Sequence, residues 1–217
     1  SNQAQFHFDS REVKAGDIFL ALKGERADGH DYVADAISRG AVLSIVSRAV
    51  SSPHILVGDV LVAIAKLASY LRGELKGLKV IGITGSQGKT TTKDLLFSIL
   101  SNEGETIASL ASFNNELGVP LTLLRCTDKS KYCILEMGAR KSGDIAALTS
   151  LANPDVGAVL KVGNAHLGQF GSQEMIAKTK GELIAGLESG AVAVLGTYDS
   201  FTPEMASTKG VMRVTFG

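Results

Sequence analysis

Short apolar runs alternate with amphipathic stretches from one end of the chain to the other. The runs have the length of strands, whereas the amphipathic stretches repeat their apolar positions every three or four residues, as helices do. This order predicts an α/β protein with mainly parallel sheets flanked by helices. The predicted strands are residues 17–22, 42–46, 54–57, 79–84, 132–137, 156–162, 191–195 and 211–216. The predicted helices are residues 31–39, 60–75, 89–100, 119–124, 144–151 and 175–187.

A charged, loop-like stretch that ends at Gly77 predicts a domain boundary. Residues 1–77 would then form a small N-terminal α/β domain, and residues 78–217 a larger one. The last predicted strand closes the sequence with no helix after it to cover the sheet, so we expect the larger domain to be incomplete. Its first helix is expected to bury four apolar side chains, Leu95, Leu96, Ile99 and Leu100.

Composition and charge narrow the classes of partner. The chain has 217 residues, 45% of them hydrophobic, and equal numbers of basic and acidic residues, 22 of each. A net charge of zero argues against binding nucleic acid or an anionic membrane through bulk electrostatics. No apolar run approaches the roughly 20 residues that span a bilayer, and no signal peptide is evident. The two cysteines make neither a disulfide framework nor a zinc site. We expect a cytoplasmic monomer.

A glycine-rich turn joins the strand of residues 79–84 to the helix of residues 89–100. Its residues are Thr84, Gly85, Ser86, Gln87, Gly88, Lys89, Thr90 and Thr91. The glycines let backbone N–H groups face phosphate oxygens, and the helix N-terminus adds partial positive charge. Lys89 can reach the β- and γ-phosphates and Thr90 can ligate Mg²⁺, so the turn predicts an ATP site. Ile83 stands where the general pattern has its first glycine, and the alternative is a turn without a ligand.

Two more polar residues follow strands, where ligands of open parallel sheets bind. Glu136 ends an apolar run and is either a solvated strand-end residue or a Mg²⁺ ligand. His166 lies past the strand of residues 156–162 and is either an exposed loop residue or a contact to metal or phosphate.

Lys180 lies on the apolar face of a predicted helix. It shares that face with Ile176, Leu183 and Leu187, whereas Lys178 falls on the polar side. Such a lysine usually extends its ammonium group to water. If it is desolvated instead, its pKa falls, and the free amine can add CO₂ to become a carbamate, an anionic metal ligand.

Taken together, these blocks resemble the Mur ligases, ATP-dependent amide-forming enzymes of bacterial cell-wall synthesis. The segments that carry the resemblance are residues 84–93, 112–124, 135–139, 162–167, 170–172 and 177–182, with residues 8–11 and 22–32 near the start. The resemblance implies a UDP-binding N-terminal domain and a P-loop central domain. It implies ATP and Mg²⁺ as cofactors, and a UDP-N-acetylmuramoyl-peptide and D-alanyl-D-alanine as substrates.

The resemblance also implies roles for individual residues. Lys89 and the loop amides would bind ATP, Thr90 with Glu136 would hold one Mg²⁺, and His166 with carbamylated Lys180 would serve a second. The catalytic residues would be Lys89, Glu136, His166 and Lys180. The substrate-binding residues would be Asn114 and Asn115 near the phosphates, and Asp9, Ser10, Arg11, Asp28, Gly29 and His30 at the uridine diphosphate end.

Some residues depart from the family's pattern. Lys161, Gly168 and the turn of residues 196–199 differ from the usual residues, which leaves details of the metal and nucleotide pocket open. The family also carries further central-domain strands and a C-terminal domain, so we expect this polypeptide alone to be inactive or nearly so. The alternatives are a sister ligase that adds a diamino acid, a non-catalytic nucleotide-binding domain, and a P-loop kinase or GTPase. The absence of a guanine-binding motif and the presence of the block Asp9, Ser10 and Arg11 argue against the last of these.

Overall fold

The computed structural model describes residues 4–25, 27–110, 113–163 and 167–217. The chain forms two compact units, residues 1–67 and residues 68–217. The division lies inside one long helix, whereas the sequence predicts a boundary at residue 77; that functional boundary stays a prediction.

The first unit is built on a four-stranded parallel sheet. Its strands are β1 (Phe6–His7), β2 (Ile18–Leu20), β3 (Leu43–Val46) and β4 (His54–Leu56), in that spatial order. Helix α1 (Val33–Ser38) follows a 3₁₀ turn (Gly29–Tyr32), and helix α2 (Val60–Glu74) leads out of the unit. Phe19 and Val46 on the sheet pack with Val33 and Ala36 of α1 to form the core. All strands are parallel, so their carboxyl ends meet at one edge.

The second unit is a six-stranded, fully parallel sheet with helices between its strands. The strands are β5 (Lys79–Thr84), β6 (Thr106–Ala108), β7 (Tyr132–Glu136), β8 (Val156–Val159), β9 (Val192–Gly196) and β10 (Met212–Phe216). Their spatial order is β10-β9-β8-β5-β7-β6. The helices are α3 (Lys89–Leu100), α4 (Gly118–Leu123), α5 (Asp144–Ala152), α6 (Leu167–Phe170) and α7 (Gln173–Ala185). The α/β class with parallel sheets is confirmed.

The order of the strands places the candidate site. β5 lies between β7 and β8, and Ile83 pairs with Glu136 while Thr84 pairs with Val159. The turn after β5 therefore lies beside the ends of β7 and β8, the position where open parallel sheets bind ligands.

The predicted burial of two side chains of α3 is wrong. Leu95 and Ile99 are each 61% exposed, and only Leu96 and Leu100 of the predicted four pack against the core. Thr90 faces β7, and Leu95 and Ile99 fall about 140° and 180° around the helix from it. Because α3 is rotated so that Thr90 faces β7, Leu95 and Ile99 face solvent.

The strand predicted over residues 156–162 is also too long. β8 ends at Val159, because β5 ends at its partner Thr84 and the turn begins there. Strands β1 and β6 are absent from the prediction, since two and three residues give too little periodicity to be recognised. The helix predicted over residues 31–39 begins only at Val33, after the 3₁₀ turn.

Candidate functional site

The turn after β5 is held against the segment that follows β8. Ser86 donates its backbone N–H to the Lys161 carbonyl at 2.8 Å. Gly163 donates its N–H to the Ser86 hydroxyl at 2.9 Å, and that hydroxyl lies 3.3 Å from the Gly163 carbonyl. Gly88, the residue before α3, has φ +84°, a left-handed conformation that favours glycine. The turn is therefore fixed at both ends, with the N-terminus of a 12-residue helix directly behind it.

Lys89 lies over this turn. Its ammonium group donates to the Gly85 carbonyl at 2.9 Å, so the charge sits at the first glycine of the turn. Thr84 is fully buried and its carbonyl accepts the N–H of Leu160 at 3.0 Å, whereas Gln87 and Thr91 are exposed. A positive side chain and the unpaired N–H groups of a helix N-terminus together attract a phosphate group.

Glu136, at the end of β7, is a buried carboxylate with two side-chain donors. It is only 2% exposed. One oxygen accepts from the Thr90 hydroxyl and the other from the Asn114 amide, each at 2.9 Å. The Ser109 hydroxyl accepts the backbone N–H of Glu136. The carboxylate is therefore fixed in orientation beside the first turn of α3, and it is no solvated strand-end residue.

The contact between Asn114 and Glu136 depends on a glycine. A Cβ atom at Gly138 would lie 2.6 Å from Oδ1 of Asn114, closer than real Cβ contacts allow. Gly138 also donates its N–H to the Asn114 carbonyl at 2.7 Å. Sequence reasoning selected Asn114 but not Gly138 or Ser109, since a glycine and a serine outside a recognised motif carry no distinguishing signal.

The donor set around Glu136 fits Mg²⁺. This ion prefers oxygen ligands and is usually held by one or two protein carboxylates together with phosphate oxygens and water. A carboxylate and a hydroxyl 2.9 Å apart, next to a turn that suits phosphate, supply that combination. His166 lies outside the described residues, so its place in this site stays a prediction.

Lys180 lies on the buried face of α7, as predicted. It is 9% exposed, and Ile176 and Leu183 on the same face are buried. Burial, with a smaller contribution from the charge of Lys89, lowers the pKa of Lys180 to about 8. The side chain therefore does not carry its ammonium group into open solvent, and its free-amine fraction near neutral pH is larger than that of an exposed lysine.

Helix α7 is positioned by a cap at its start and by hydrogen bonds to α5 near its end. The Ser172 hydroxyl accepts the backbone N–H of Met175 at the start of α7. Glu182, in the last turn of α7, accepts the N–H groups of Gly143 and Ala146 at the start of α5. These contacts fix the rotation of α7 about its axis and its position along that axis, and therefore the position of Lys180.

A cavity of about 420 Å³ lies among these elements. Gly85, Lys89, Lys180 and Gly138 line it, together with residues 113–117 and the start of α5. Asn115 is among the lining residues, and its side-chain oxygen accepts the N–H of Gly118 at the start of α4. The structure thus brings Lys89, Lys180, Asn114 and Asn115 to one cavity.

The first unit gathers its own polar cluster at the carboxyl edge of its sheet. The Arg11 guanidinium donates to both oxygens of Asp9, and this hydrogen bonding lowers the pKa of Asp9 to about 2. The Ser10 hydroxyl donates to Asp35 at 2.7 Å. That hydroxyl is therefore used within the unit, while the Arg11 side chain is 80% exposed.

His30 is a buried part of the same cluster. Its Nδ1 lies 2.6 Å from Asp28 and its Nε2 accepts the N–H of Ser47 at 3.0 Å, so Nδ1 carries the proton. The His30 N–H and ring lower the pKa of Asp28 to about 2. Gly29 donates its N–H to the Leu22 carbonyl. His30 therefore fixes the turn through both ring nitrogens, which leaves the exposed atoms of its neighbours to meet a ligand.

Arg48 belongs to the same polar cluster and is a candidate ligand-binding residue that the sequence did not reveal. It follows β3 and lies 3.5 Å from Asp28 and 3.1 Å from Asp31. A basic residue directly after a strand would have been the signal.

No helix within the described residues is long and apolar enough to cross a bilayer.

Comparison with known proteins gives the family. Residues 83–217 match the Mur ligase middle domain, and residues 6–87 match the Mur ligase family, catalytic domain. UDP-N-acetylmuramoyl-tripeptide--D-alanyl-D-alanine ligase of Mycobacterium leprae is 47% identical over 97% of this chain and 46% of its own length. The protein of the same name from Bacillus subtilis is 39% identical over 96% of this chain and 46% of its own.

Solved structures agree. MurF from Acinetobacter baumannii superposes with a TM-score of 0.90 at 38% identity, covering 98% of this chain and 48% of that one. MurF ligase from Thermotoga maritima, solved in complex with ADP, gives 0.86 at 38% identity, covering 99% of this chain and 50% of that one. The chain spans about half the length of the relatives it matches. Since the middle-domain match alone covers more than half of this sequence, the chain belongs to the Mur ligase family.

Proposed function

We propose that this chain is the UDP-substrate-binding and ATP-binding part of a ligase that adds D-alanyl-D-alanine to a UDP-N-acetylmuramoyl-tripeptide. The hydrogen-bonded pair of Thr90 and Glu136, beside a phosphate-binding turn, is the observation that carries the proposal. The printed names of relatives 39–47% identical supply the substrates, and the ADP complex of a relative supports the nucleotide. We expect a cytoplasmic monomer that needs neither nucleic acid nor membrane insertion.

The reaction explains the positive charge of Lys89 and of the α3 N-terminus at the turn after β5. A carboxylate is a poor acyl donor because oxide would have to leave, so the γ-phosphoryl group of ATP is transferred to it first and ADP leaves. The resulting acyl phosphate is attacked by the amine of the dipeptide, and phosphate leaves from the tetrahedral intermediate. Lys89 and the α3 N-terminus stabilise the charge that gathers at the phosphates. Mg²⁺ held by Thr90 and Glu136 would supply further neutralisation at the same oxygens.

Lys180 fits a second role in this scheme. Its free amine can form an N–C bond to CO₂ and release one proton to solvent, which leaves an anionic carbamate that faces the cavity. Asn114 and Glu136 hold each other in place, and His166 is the proposed partner of the carbamate at a second Mg²⁺. In the first unit, Arg11 and Arg48 would meet the diphosphate, with Asp9, Ser10, Asp28, Gly29 and His30 shaping that edge.

The test is ADP release by the longer polypeptide that contains this chain. Release that requires both the UDP-muramoyl tripeptide and D-alanyl-D-alanine supports the assignment. Release that requires a diamino acid and a UDP-muramoyl dipeptide instead would identify the sister ligase. Binding of ATP without amide formation in any combination would leave a non-catalytic nucleotide-binding domain. The 217-residue chain alone should release little or no ADP.

A further inference from the structure

The carboxylate of Asp199 collects four hydrogen-bond donors in the turn after β9. One oxygen accepts the N–H groups of Phe201 and Thr202, each at 2.8 Å. The other accepts the Thr202 hydroxyl and the N–H of Val162, also at 2.8 Å. Burial raises the pKa of Asp199, but these hydrogen bonds outweigh it and hold the pKa below its ordinary value. Three of the donors are local, whereas Val162 lies 37 residues away along the chain.

Val162 belongs to the segment that holds the phosphate-binding turn. β8 ends at Val159, so this segment has left the sheet ladder when it reaches the turn. Its neighbours Lys161 and Gly163 are the residues that hydrogen-bond to Ser86. Val162 itself is 1% exposed. A rigid connection therefore runs from Asp199 through Val162 and Gly163 to Ser86.

We propose that Asp199 is a positioning residue for the phosphate-binding turn, acting through Val162 and Gly163 on Ser86. This inference rests on the proposed function, because it assigns to the turn the phosphates of ATP. The turn of residues 196–199 departs from the family's usual residues in sequence, yet its aspartate follows β9 at the same edge of the sheet as Gly85 and Glu136. A nucleotide that needs several backbone N–H groups at once gains affinity when the turn is already fixed.

The substitution Asp199→Asn separates the local contacts from the long-range one. Asparagine has one side-chain oxygen, which can keep the N–H groups of Phe201 and Thr202. Its NH₂ group then faces the N–H of Val162, and two donors cannot bond to each other. The local turn survives while the connection to Val162 is lost.

Asp155→Asn is the matched control. Asp155 also accepts a backbone N–H, that of Val80, and pairs with Arg72 and Lys79. It precedes β8, at the end of the strands opposite to the phosphate-binding turn. Its loss should lower stability without loosening the turn.

The experiment measures two quantities on the 217-residue chain at a temperature where every variant is folded. These are the affinity for Mg-ATP and the hydrogen exchange of the Ser86 and Gly163 amides. Asp199→Asn should weaken Mg-ATP about tenfold, the loss expected for one charge-assisted hydrogen bond, and speed exchange at both amides by a similar factor. Asp155→Asn should leave both within about twofold. Ser86→Ala should weaken binding as well, and the double variant with Asp199→Asn should lose less than the sum of the two.

Each outcome has one meaning. If the wild-type chain binds Mg-ATP and Asp199→Asn binds it equally well with unchanged exchange, the positioning role is overturned and the proposed function stands. Equal losses in Asp199→Asn and Asp155→Asn would also overturn it, since a general loss of stability would then be the cause. If the wild-type chain does not bind Mg-ATP, the proposed function fails and this inference with it.

Discussion

Lys180→Met should stabilise the protein near neutral pH, although it removes a residue of the candidate site. Lys180 is buried on α7, and burial together with the charge of Lys89 lowers its pKa to about 8. In the unfolded chain the same group has the ordinary value of 10.5. Below the folded pKa, the native state must carry a charge that it solvates poorly. Methionine has a similar length and no charge.

The size of the effect follows from linkage. Between the two pKa values the unfolded state binds more protons than the native state, so wild-type stability rises with pH in that window. The difference between the folded and unfolded pKa of Lys180 lowers the wild type's free energy of unfolding by about 3 kcal/mol at pH 7, since one pKa unit is 1.36 kcal/mol. By pH 9.5 about half of this destabilisation is gone, because the side chain in the native state is already neutral there.

The assay is urea denaturation of wild type and Lys180→Met in CO₂-free buffer at pH 7, 8 and 9.5. The variant should be the more stable at pH 7, and its advantage should shrink steadily as the pH rises. Lys178→Met, on the exposed face of the same helix, is the control and should change stability by less than about 0.5 kcal/mol throughout. A stability difference between Lys180→Met and wild type that does not vary with pH would refute the reasoning.

Three further results are expected. Gly138→Ala should lower the free energy of unfolding by about 1–3 kcal/mol, because its Cβ would lie 2.6 Å from Asn114; denaturant titration measures it. Arg72→Met should cost about 2 kcal/mol in the same assay, since Arg72 donates to Asp155 and to backbone carbonyls; an unchanged midpoint would contradict this. Thr90→Val should weaken ATP binding about tenfold with Mg²⁺ present and not with EDTA, whereas Thr90→Ser should bind nearly as wild type; calorimetry separates them.

Strong local sequence patterns were sufficient to predict much of the fold. The bounds of β5 and α3 are as predicted, because an apolar strand, a glycine-rich turn and an amphipathic helix follow one another without ambiguity. The place of Lys180 on the apolar face of α7 also follows from spacing, since Ile176 and Leu183 share that face, whereas its burial there does not. Helical periodicity did not decide which of the adjacent leucines of α3 faces inward. The contact of Thr90 with Glu136 settles that, and it is a tertiary contact.

The candidate site was predictable where residues belong to strand ends and not where they act through neighbours. Glu136 ends a strand and could be selected from the sequence. Ser109, Gly138 and Asp199 act by holding other residues, and they lie 27, 2 and 63 positions from Glu136 in the sequence. Their roles depend on which strands lie side by side, and the strand order β8-β5-β7 is not encoded in any local pattern.

Calorimetric titration of the 217-residue chain with ATP, in the presence and absence of Mg²⁺, tests whether the turn after β5 holds the nucleotide's phosphates. The phosphate-binding role of this turn predicts binding that Mg²⁺ strengthens, that Lys89→Ala abolishes, and that Lys178→Ala leaves unchanged. Equal affinity in wild type and Lys89→Ala would contradict it, because the nucleotide's phosphates would then be held somewhere other than the turn after β5.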